Sequence, residues 1–297
     1  MNIRASYWTW KLINGEHIPD EMSTAYIMLD GKCMYDCAYC THARNSTSDS
    51  SYLSRIVWKE LALPNLLEKI ALFKRICVQT VNYKGYDKDI LTLVKQIKGT
   101  YKEILISVST RVSGTKEIDT FMENGVDQLG IALDCVNKEL HKAYRGKQLE
   151  HTLSLIEYGA KKYPGKITTH IIVGLGEKDI ELVEIFRKMK KLNVEVALFA
   201  FTPVKGTKLQ NSSPPDLDRY RKIQILRYII FEKNQEPIVE FDENGYIQKF
   251  IYEAENVQFA FLTSGCKHCT RPYYNDRPIQ KLLYNYHKLP STSVRHL

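Results

Sequence analysis

The stretch "TAYIMLDGKCMYDCAYC", residues 24–40, joins a short apolar run to three closely spaced cysteines. Its first six residues are mostly apolar and are followed at once by aspartate and glycine, which predicts a buried strand that ends at a turn. Thiols that come directly after such a strand lie at the carboxyl edge of a parallel sheet, where α/β barrels place their functional loops. The stretch therefore predicts both a strand of a parallel sheet and a group of thiols at the carboxyl edge of that sheet.

The rest of the chain alternates short β-rich runs with longer segments of helical period. The predicted strands are 24–29, 74–80, 103–109, 128–133, 169–174, 195–201, 237–240 and 257–263. The predicted helices are 57–72, 87–97, 151–162, 179–192 and 216–231. This alternation is typical of βαβ units around a parallel sheet.

Eight predicted strands in a chain of 297 residues favour one fold class. We expect an α/β protein, a (β/α)8 barrel of the TIM type with its cluster loops at the carboxyl ends of the strands, rather than an open doubly wound sheet. The expected organisation is an N-terminal segment, 1–22, the barrel, 23–264, and a cluster-binding C-terminal tail, 265–297, packed on the barrel.

The composition predicts the cellular compartment and the kind of partner. Neither a signal-peptide pattern nor a run of about 18 apolar residues is present, so we expect a cytoplasmic protein that does not enter a membrane. In that reducing compartment seven cysteines indicate metal ligands and spare thiols rather than disulfides. The formal net charge of +8 suits an acidic partner. A carrier protein fits this charge, and no nucleic-acid motif is visible.

The first cysteines, Cys33, Cys37 and Cys40, have the spacing C-x3-C-x2-C. Three thiolates hold three irons of a 4Fe-4S cube and leave the fourth iron open to a cofactor, whereas ordinary clusters use four cysteines. Two alternatives remain: a zinc site completed by His42, and three unrelated core thiols. Tyr39, just before the last cysteine, and the position after the first strand favour the cluster.

With these features the chain resembles the radical S-adenosylmethionine (SAM) enzymes. In that family SAM binds the open iron, and its reductive cleavage gives a 5'-deoxyadenosyl radical that abstracts hydrogen from carbon. Four further segments resemble strands of the biotin synthase branch: "RICVQT" (75–80), "GIALD" (130–134), "HIIVGLGEKD" (170–179) and "FAFTPVKGTKL" (199–209).

The resemblance implies a set of site residues. For the radical chemistry they are Cys33, Cys37, Cys40 and Asp134, and for contacts to the cofactor they are Tyr39, Ser107, Ser109, Gly174, Gly176, Glu177, Thr202 and Pro203. Capping of a local turn or helix is the alternative role for Asp134 and Glu177. Arg145 and Arg271 are candidates for binding the methionyl carboxylate or the carrier, with solvated surface as the alternative.

A second pair, Cys266 and Cys269, forms C-x2-C after the last predicted strand. Zinc knuckles and iron–sulfur clusters both use this spacing. Because the radical chemistry needs an open iron, the pair implies a second centre. Barrel order places Cys77, on the second strand, nearer this pair than Cys135, at the end of the fourth. Cys77 also matches an auxiliary-cluster ligand of biotin synthases, although burial in the core is its alternative.

The chain also departs from biotin synthases at the auxiliary centre. The other auxiliary cysteines of biotin synthases are expected at Val108 or Ser109 and at Thr168, where this chain has none. The segment "EFDENG", 240–245, occupies the place on the seventh strand where biotin synthases carry an arginine, and it contains no arginine. The tail "SGCKHCTRPYYN", 264–275, and "CAYCTHAR", 37–44, resemble the two-component lipoyl synthases instead. The single-chain lipoyl synthases carry auxiliary cysteines in an N-terminal extension, and residues 1–22 contain none.

That resemblance implies sulfur insertion into an octanoyl chain on a lysine of a lipoyl carrier domain or glycine-cleavage carrier. An auxiliary cluster of the 4Fe-4S type, on Cys77, Cys266 and Cys269, is the implied sulfur donor, and Ser264 is a candidate for a releasable ligand or a turn cap. Implied partners are a paralogous lipoyl synthase component and a ferredoxin or flavodoxin. The alternatives are sulfur insertion into dethiobiotin, a second centre that only relays electrons, and a non-catalytic iron–sulfur or zinc module.

Overall fold

The computed structural model describes residues 2–19 and 21–289. Its strands are β1 (Asn2–Ser6), β2 (Thr24–Leu29), β3 (Tyr52–Leu53), β4 (Ile56–Ala62), β5 (Arg75–Gln79), β6 (Leu105–Thr110), β7 (Gln128–Ile131), β8 (Ile167–Val173), β9 (Glu195–Ala200), β10 (Ile238–Phe241) and β11 (Ile247–Ile251). Its helices are α1 (Tyr7–Ile13), α2 (Leu63–Glu68), α3 (Tyr86–Thr100), α4 (Thr115–Glu123), α5 (Lys138–Arg145), α6 (Leu149–Lys162), α7 (Asp179–Lys191) and α8 (Leu217–Phe231).

Nine strands form the main sheet, in the order β3-β4-β1-β2-β5-β6-β7-β8-β9. Each neighbouring pair from β2 to β9 is parallel, whereas β1 runs antiparallel to both β2 and β4. The six parallel strands curl into a half-barrel. The predicted α/β class of the TIM type is therefore confirmed, with the N-terminal segment adding a strand to the same sheet. Among the described residues no helix is long and apolar enough to cross a bilayer.

Three details of the prediction are wrong. The predicted seventh strand, 237–240, belongs to β10, which pairs antiparallel with β11 outside the main sheet. The predicted eighth, 257–263, contains the 3-10 helix Val257–Phe261, because Ala260 and Phe261 pack on α8 and a short apolar run does not distinguish a strand from a buried helical turn. The predicted helix 57–72 starts as β4, which pairs with β1, and Pro64 then opens α2.

The two faces of the parallel sheet have different roles: one packs under the helices as the apolar core, and the other lines the cavity of the half-barrel. Residues that point outward under the helices, such as Ile76, Ile106 and Val196, are fully buried and apolar. Their neighbours along each strand point inward and line a cavity: Cys77, Gln79, Ser107, Ser109, Thr168, His170, Ala197 and Phe199. Because successive side chains of a strand point to opposite faces, one run of residues supplies both the apolar core and the interior of the half-barrel.

The tail closes the side of the half-barrel that a full barrel closes with two more strands. At the edge of β9, Ser264 Oγ accepts a hydrogen bond from the Leu198 N–H at 2.8 Å, and the Asn275 amide donates to the Ala200 carbonyl at 2.7 Å. On β2, Thr24 Oγ1 donates to the His268 carbonyl at 2.7 Å. The tail, of which residues 290–297 lie outside the described part, thus bridges the two outer parallel strands.

We expect the change Asn275→Ala to destabilise the protein by about 1–3 kcal/mol, because it leaves backbone groups of the β9 edge without partners. Urea unfolding followed by circular dichroism measures this difference. The exposed Asn211→Ala serves as control and should change stability by less than about 0.5 kcal/mol. Equal losses in the two variants would show that the tail does not cap the sheet edge.

Candidate active site

One cavity of about 460 Å³ lies inside the half-barrel, and six of the seven cysteines line it. Cys33, Cys37 and Cys40 come from the loop after β2, at the carboxyl edge of the sheet. Cys77, Cys266 and Cys269 come from the middle of β5 and from the tail. Cys135 is 0% exposed and packs against Leu175 and Phe201 outside this cavity. The structure therefore brings together the two predicted sets and leaves Cys135 aside.

The loop of the first set is fixed by its own backbone and by neighbouring cations. The Cys40 N–H donates to the Cys37 carbonyl at 3.1 Å. The Arg111 guanidinium lies 3.6 Å from Cys37 Sγ and stacks 4.0 Å from the centre of the Tyr35 ring. Burial raises the pKa of Cys40 to about 12. Three unbridged thiols facing one cavity, beside a cation, fit a 4Fe-4S cluster held by three cysteines.

The zinc alternative requires a different arrangement. Among the described residues no group of three or more His, Cys, Asp or Glu side chains is close enough to hold one metal ion. His42 is buried, but it does not complete a four-ligand site with the three cysteines. The described side chains therefore do not form the four-ligand site that the zinc alternative requires.

A buried network holds Tyr39, and Asp134 is its centre. The Tyr39 hydroxyl donates to Asp134 Oδ2 at 2.5 Å, His170 Nε2 lies 2.7 Å from Asp134 Oδ1, and the Arg145 guanidinium forms an ion pair with the same carboxylate. Arg145 also donates to the Tyr39 hydroxyl at 2.8 Å. Burial lowers the pKa of His170, with Arg145 and Arg271 adding to the shift, so the neutral imidazole donates its N–H. Asp134 thereby anchors the cysteine loop to β8 and α5.

The predicted contacts of the "GLGE" segment are not found at the cavity. Glu177 is 1% exposed, and its carboxylate accepts the N–H groups of Gly174 and Leu175 at 2.8 and 2.9 Å and pairs with Arg219 at 3.0 Å. Neither Gly174 nor Gly176 lines the cavity. A Cβ on Gly174 would lie 2.8 Å from Pro215, so this glycine permits close packing of two loops. Glu177 stabilises the loop that precedes it, whereas its alternative role was to cap the following helix.

Of the other residues that were predicted to contact the cofactor, some line the cavity and one does not. Tyr39, Ser107, Ser109 and Thr202 line the cavity, and Pro203 does not. Further along that loop a Cβ on Gly206 would lie 2.5 Å from the Ser48 nitrogen. This close approach, at a φ of +88°, joins the loop after β9 to the end of the cysteine loop.

The second set of thiols has donors around each sulfur. Gln79 Nε2 lies 3.2 Å from Cys77 Sγ, and Arg271 Nε lies 3.1 Å from Cys269 Sγ. The Tyr26 hydroxyl lies 3.5 Å from Cys269 Sγ and also accepts the Thr270 N–H at 2.8 Å. Burial, and then the neighbouring thiols Cys266 and Cys269, raise the pKa of Cys77, and all three thiols line the same cavity.

Three residues that contact the thiols, Tyr26, Gln79 and Arg111, were not predicted as site residues, and a fourth, Arg271, was predicted with a different partner. Tyr26 and Gln79 each lie on the inward face of a strand, Gln79 two positions after Cys77, so the alternation within a strand contains the signal for both. Arg111 directly follows β6, at the carboxyl edge where site residues concentrate. Arg271 was predicted near the cofactor or the carrier, whereas the structure places it on a thiol of the tail.

We expect the change Asp134→Asn to cost about 3–5 kcal/mol, because Arg145 then remains buried without a negative partner. Chemical denaturation measures the loss. The control Glu157→Gln removes one half of an exposed pair with Lys161 and should cost less than about 1 kcal/mol. If Asp134→Asn cost no more than the control, the network would not be what anchors the loop.

Comparison with known proteins agrees with this geometry. Curated relatives include an uncharacterized protein of Methanocaldococcus jannaschii, 26% identical over 65% of this chain and 52% of its own length. The biotin synthase of Clostridium acetobutylicum is 24% identical over 74% of this chain and 68% of its own length. The chain thus spans between about half and two thirds of the length of these relatives.

Among solved structures, the [FeFe]-hydrogenase maturase HydG of Carboxydothermus hydrogenoformans superposes with a TM-score of 0.54 at 17% identity, over 75% of this chain and 56% of that one. At this identity the likeness concerns the fold alone. The Radical SAM superfamily matches residues 29–189, more than half of the chain and including all three cysteines of the first set. The chain therefore belongs to the radical SAM superfamily, which implies a 4Fe-4S cluster and SAM.

Proposed function

We propose that this protein is a lipoyl synthase component that inserts sulfur into an octanoyl chain carried on a lysine of a carrier protein. The sulfur comes from an auxiliary iron–sulfur cluster bound by Cys77, Cys266 and Cys269. In this superfamily the first cluster with SAM supplies a 5'-deoxyadenosyl radical that abstracts hydrogen from carbon. The observation that carries the proposal is that two sets of three thiols line one cavity.

The positions of the two thiol sets along the strands support separate roles for them, the first as radical source and the second as sulfur source. The first set lies at the carboxyl edge of the sheet, whereas Cys77 pairs in register with Tyr26 on one side and Ser107 on the other, inside the sheet. Because both sets line the same cavity, this proposal places the substrate carbon in one space with the radical source and the sulfur source. Such positioning is what the protein contributes to a cofactor reaction.

The walls of the cavity suit a saturated chain. Met28, Ile56, Trp58 and Phe199 line it, and the Phe199 ring meets Tyr274 edge-on at 4.9 Å between centres. Apolar and aromatic walls take up an alkyl chain by the hydrophobic effect and exclude water, which protects a carbon radical from side reactions.

The donors around the second set support a cluster that carries negative charge. Gln79, Tyr26 and Arg271 are placed to donate hydrogen bonds to sulfur, and such outer contacts stabilise thiolate ligands and tune the metal centre. The partners proposed with this function are a lipoyl carrier domain or glycine-cleavage carrier, a paralogous lipoyl synthase component, and a ferredoxin or flavodoxin. We propose cytoplasmic action, where the net charge of +8 attracts an acidic carrier.

The direct test is product analysis. Anaerobically reconstituted protein is incubated with SAM, a strong reductant and either an octanoyl-lysyl carrier domain or dethiobiotin, with and without the paralogous component. We expect thiolated octanoyl product by mass spectrometry. Sulfur in dethiobiotin instead would assign the biotin synthase reaction, and 5'-deoxyadenosine without any sulfur product would contradict sulfur insertion.

The ligand set has its own test. Wild-type protein should bind about eight irons, and Cys77→Ala should lose about four of them, because one corner of the second cluster loses its ligand. Cys135→Ala is the matched control and should keep the full iron content, since that thiol lies outside the cavity. Iron loss in Cys135→Ala alone would contradict the assignment, and zinc bound at Cys266 and Cys269 would exclude a sulfur donor there.

A further inference from the structure

A short loop of the tail, residues 277–282 with the sequence "RPIQKL", lies beside the cavity, and all six of its residues are exposed. Asp276, directly before the loop, and Pro278, within it, line the cavity. Asp276 is 3% exposed, and its carboxylate accepts the Tyr284 N–H at 2.7 Å and the Asn285 N–H at 3.3 Å. This carboxylate therefore ties the two ends of the loop together and holds the loop at the edge of the cavity.

The loop exposes apolar side chains at a tight turn. The Gln280 N–H donates to the Arg277 carbonyl at 2.9 Å, which places Ile279 within the turn. Ile279 is 87% exposed, and Leu282 is 50% exposed. Turns usually carry polar residues or glycine, and exposed apolar side chains that gather beside a cavity are typical of interaction sites. These two side chains therefore offer an apolar contact to a partner.

Three exposed basic side chains belong to the loop or to the lining of the cavity. Arg277 and Lys281 are in the loop, and Arg55, on the turn between β3 and β4, lines the cavity. In the described part of the chain no carboxylate lies within ion-pair distance of any of the three. Burial, and then the positive charge of Arg277, lower the pKa of Arg55, so these two charges act on each other. We refer to the three residues, together with Ile279 and Leu282, as the basic rim.

The turn with Arg55 and the first set of thiols lie toward opposite ends of the strands. β1 runs antiparallel to both β2 and β4, so β2 and β4 have the same direction, and this turn comes before the start of β4. The turn therefore lies toward the amino ends of the strands, whereas the loop of the first set follows the carboxyl end of β2. A macromolecule bound at the basic rim leaves the carboxyl edge free for SAM.

We propose that the basic rim is the docking surface for the acidic carrier protein that presents the octanoyl-lysine; this inference rests on the proposed function. The basic side chains pair with carboxylates of the carrier, and Ile279 and Leu282 pack against its surface beside the modified lysine. The place of the rim next to the cavity favours the carrier over the paralogous component. The octanoyl chain has to enter that cavity while its lysine stays part of the carrier.

The test measures binding of the reconstituted full chain to an acidic octanoyl-lysyl carrier domain by calorimetry, without reductant, at low and at physiological salt. The test variant combines Arg55→Glu with Arg277→Glu. The matched control combines Lys95→Glu with Lys142→Glu, which makes the same change of net charge at exposed positions of α3 and α5. Arg55→Lys with Arg277→Lys keeps both charges, and Ile279→Ser removes the apolar contact. Circular dichroism checks that each variant is folded.

We expect the double change to glutamate to weaken binding at low salt by at least about tenfold, because its carboxylates then face those of the carrier. The control and the lysine pair should stay within about twofold of the wild type. Ile279→Ser should weaken binding at both salt concentrations, since salt does not screen an apolar contact. Equal affinities of the glutamate variant and its control, or a wild type that does not bind the carrier domain, would overturn the docking surface.

Product analysis separates a failure of this inference from a failure of the proposed function. A wild type that binds the carrier domain through the basic rim but yields no thiolated octanoyl product would contradict the proposed function and leave the docking surface in place. Thiolated product from a protein whose binding does not depend on the rim would support the proposed function and overturn the docking surface. Loss of binding to the paralogous component alone in the glutamate variant would also overturn it.

Discussion

The structure depends on one unpaired sheet edge. Six parallel strands make only half a barrel, and the edge strand β9 presents backbone groups that need partners. The side chains of Ser264, just before the tail, and of Asn275, within it, supply those partners. Because Cys266 and Cys269 lie between these two residues, the segment that caps the edge also carries two thiols to the inside of the sheet. The same segment therefore closes the sheet edge and positions two thiols of the second set.

The charges inside the half-barrel follow the same division. Near the first set, Arg145 is balanced by Asp134, and the resulting network fixes Tyr39 between two of the cysteines. Near the second set, Arg75 and Arg271 touch Ser107 and Cys269 and have no carboxylate among the described residues within ion-pair distance. The first network is complete in the protein alone. The second leaves two cations beside the thiols without a carboxylate, and the auxiliary cluster that we propose would supply negative charge there.

Much of this arrangement follows from the sequence. The six strands of the half-barrel, the cysteine loop after β2 and the preference for Cys77 over Cys135 at the second site are all read from local patterns and barrel order, and the cavity contains all six thiols. The segments 237–240 and 257–263 were placed in the barrel wrongly because their apolar runs are equally compatible with a hairpin and a helical turn. The ion pair of Glu177 with Arg219 and the hydrogen bond of Arg75 to Ser107 join distant segments, and a linear pattern does not contain such contacts.

We propose that a cluster bound by the second set of thiols donates the sulfur that enters the substrate. The measurement that tests it most directly is a single turnover with protein whose clusters carry a heavy isotope of sulfur, in the presence of SAM, reductant and an octanoyl-lysyl carrier domain. We expect heavy sulfur in the octanoyl product of the wild type and none with Cys266→Ala, which still forms 5'-deoxyadenosine. Product sulfur of natural isotopic mass, with the heavy sulfide still bound to the protein, would contradict it.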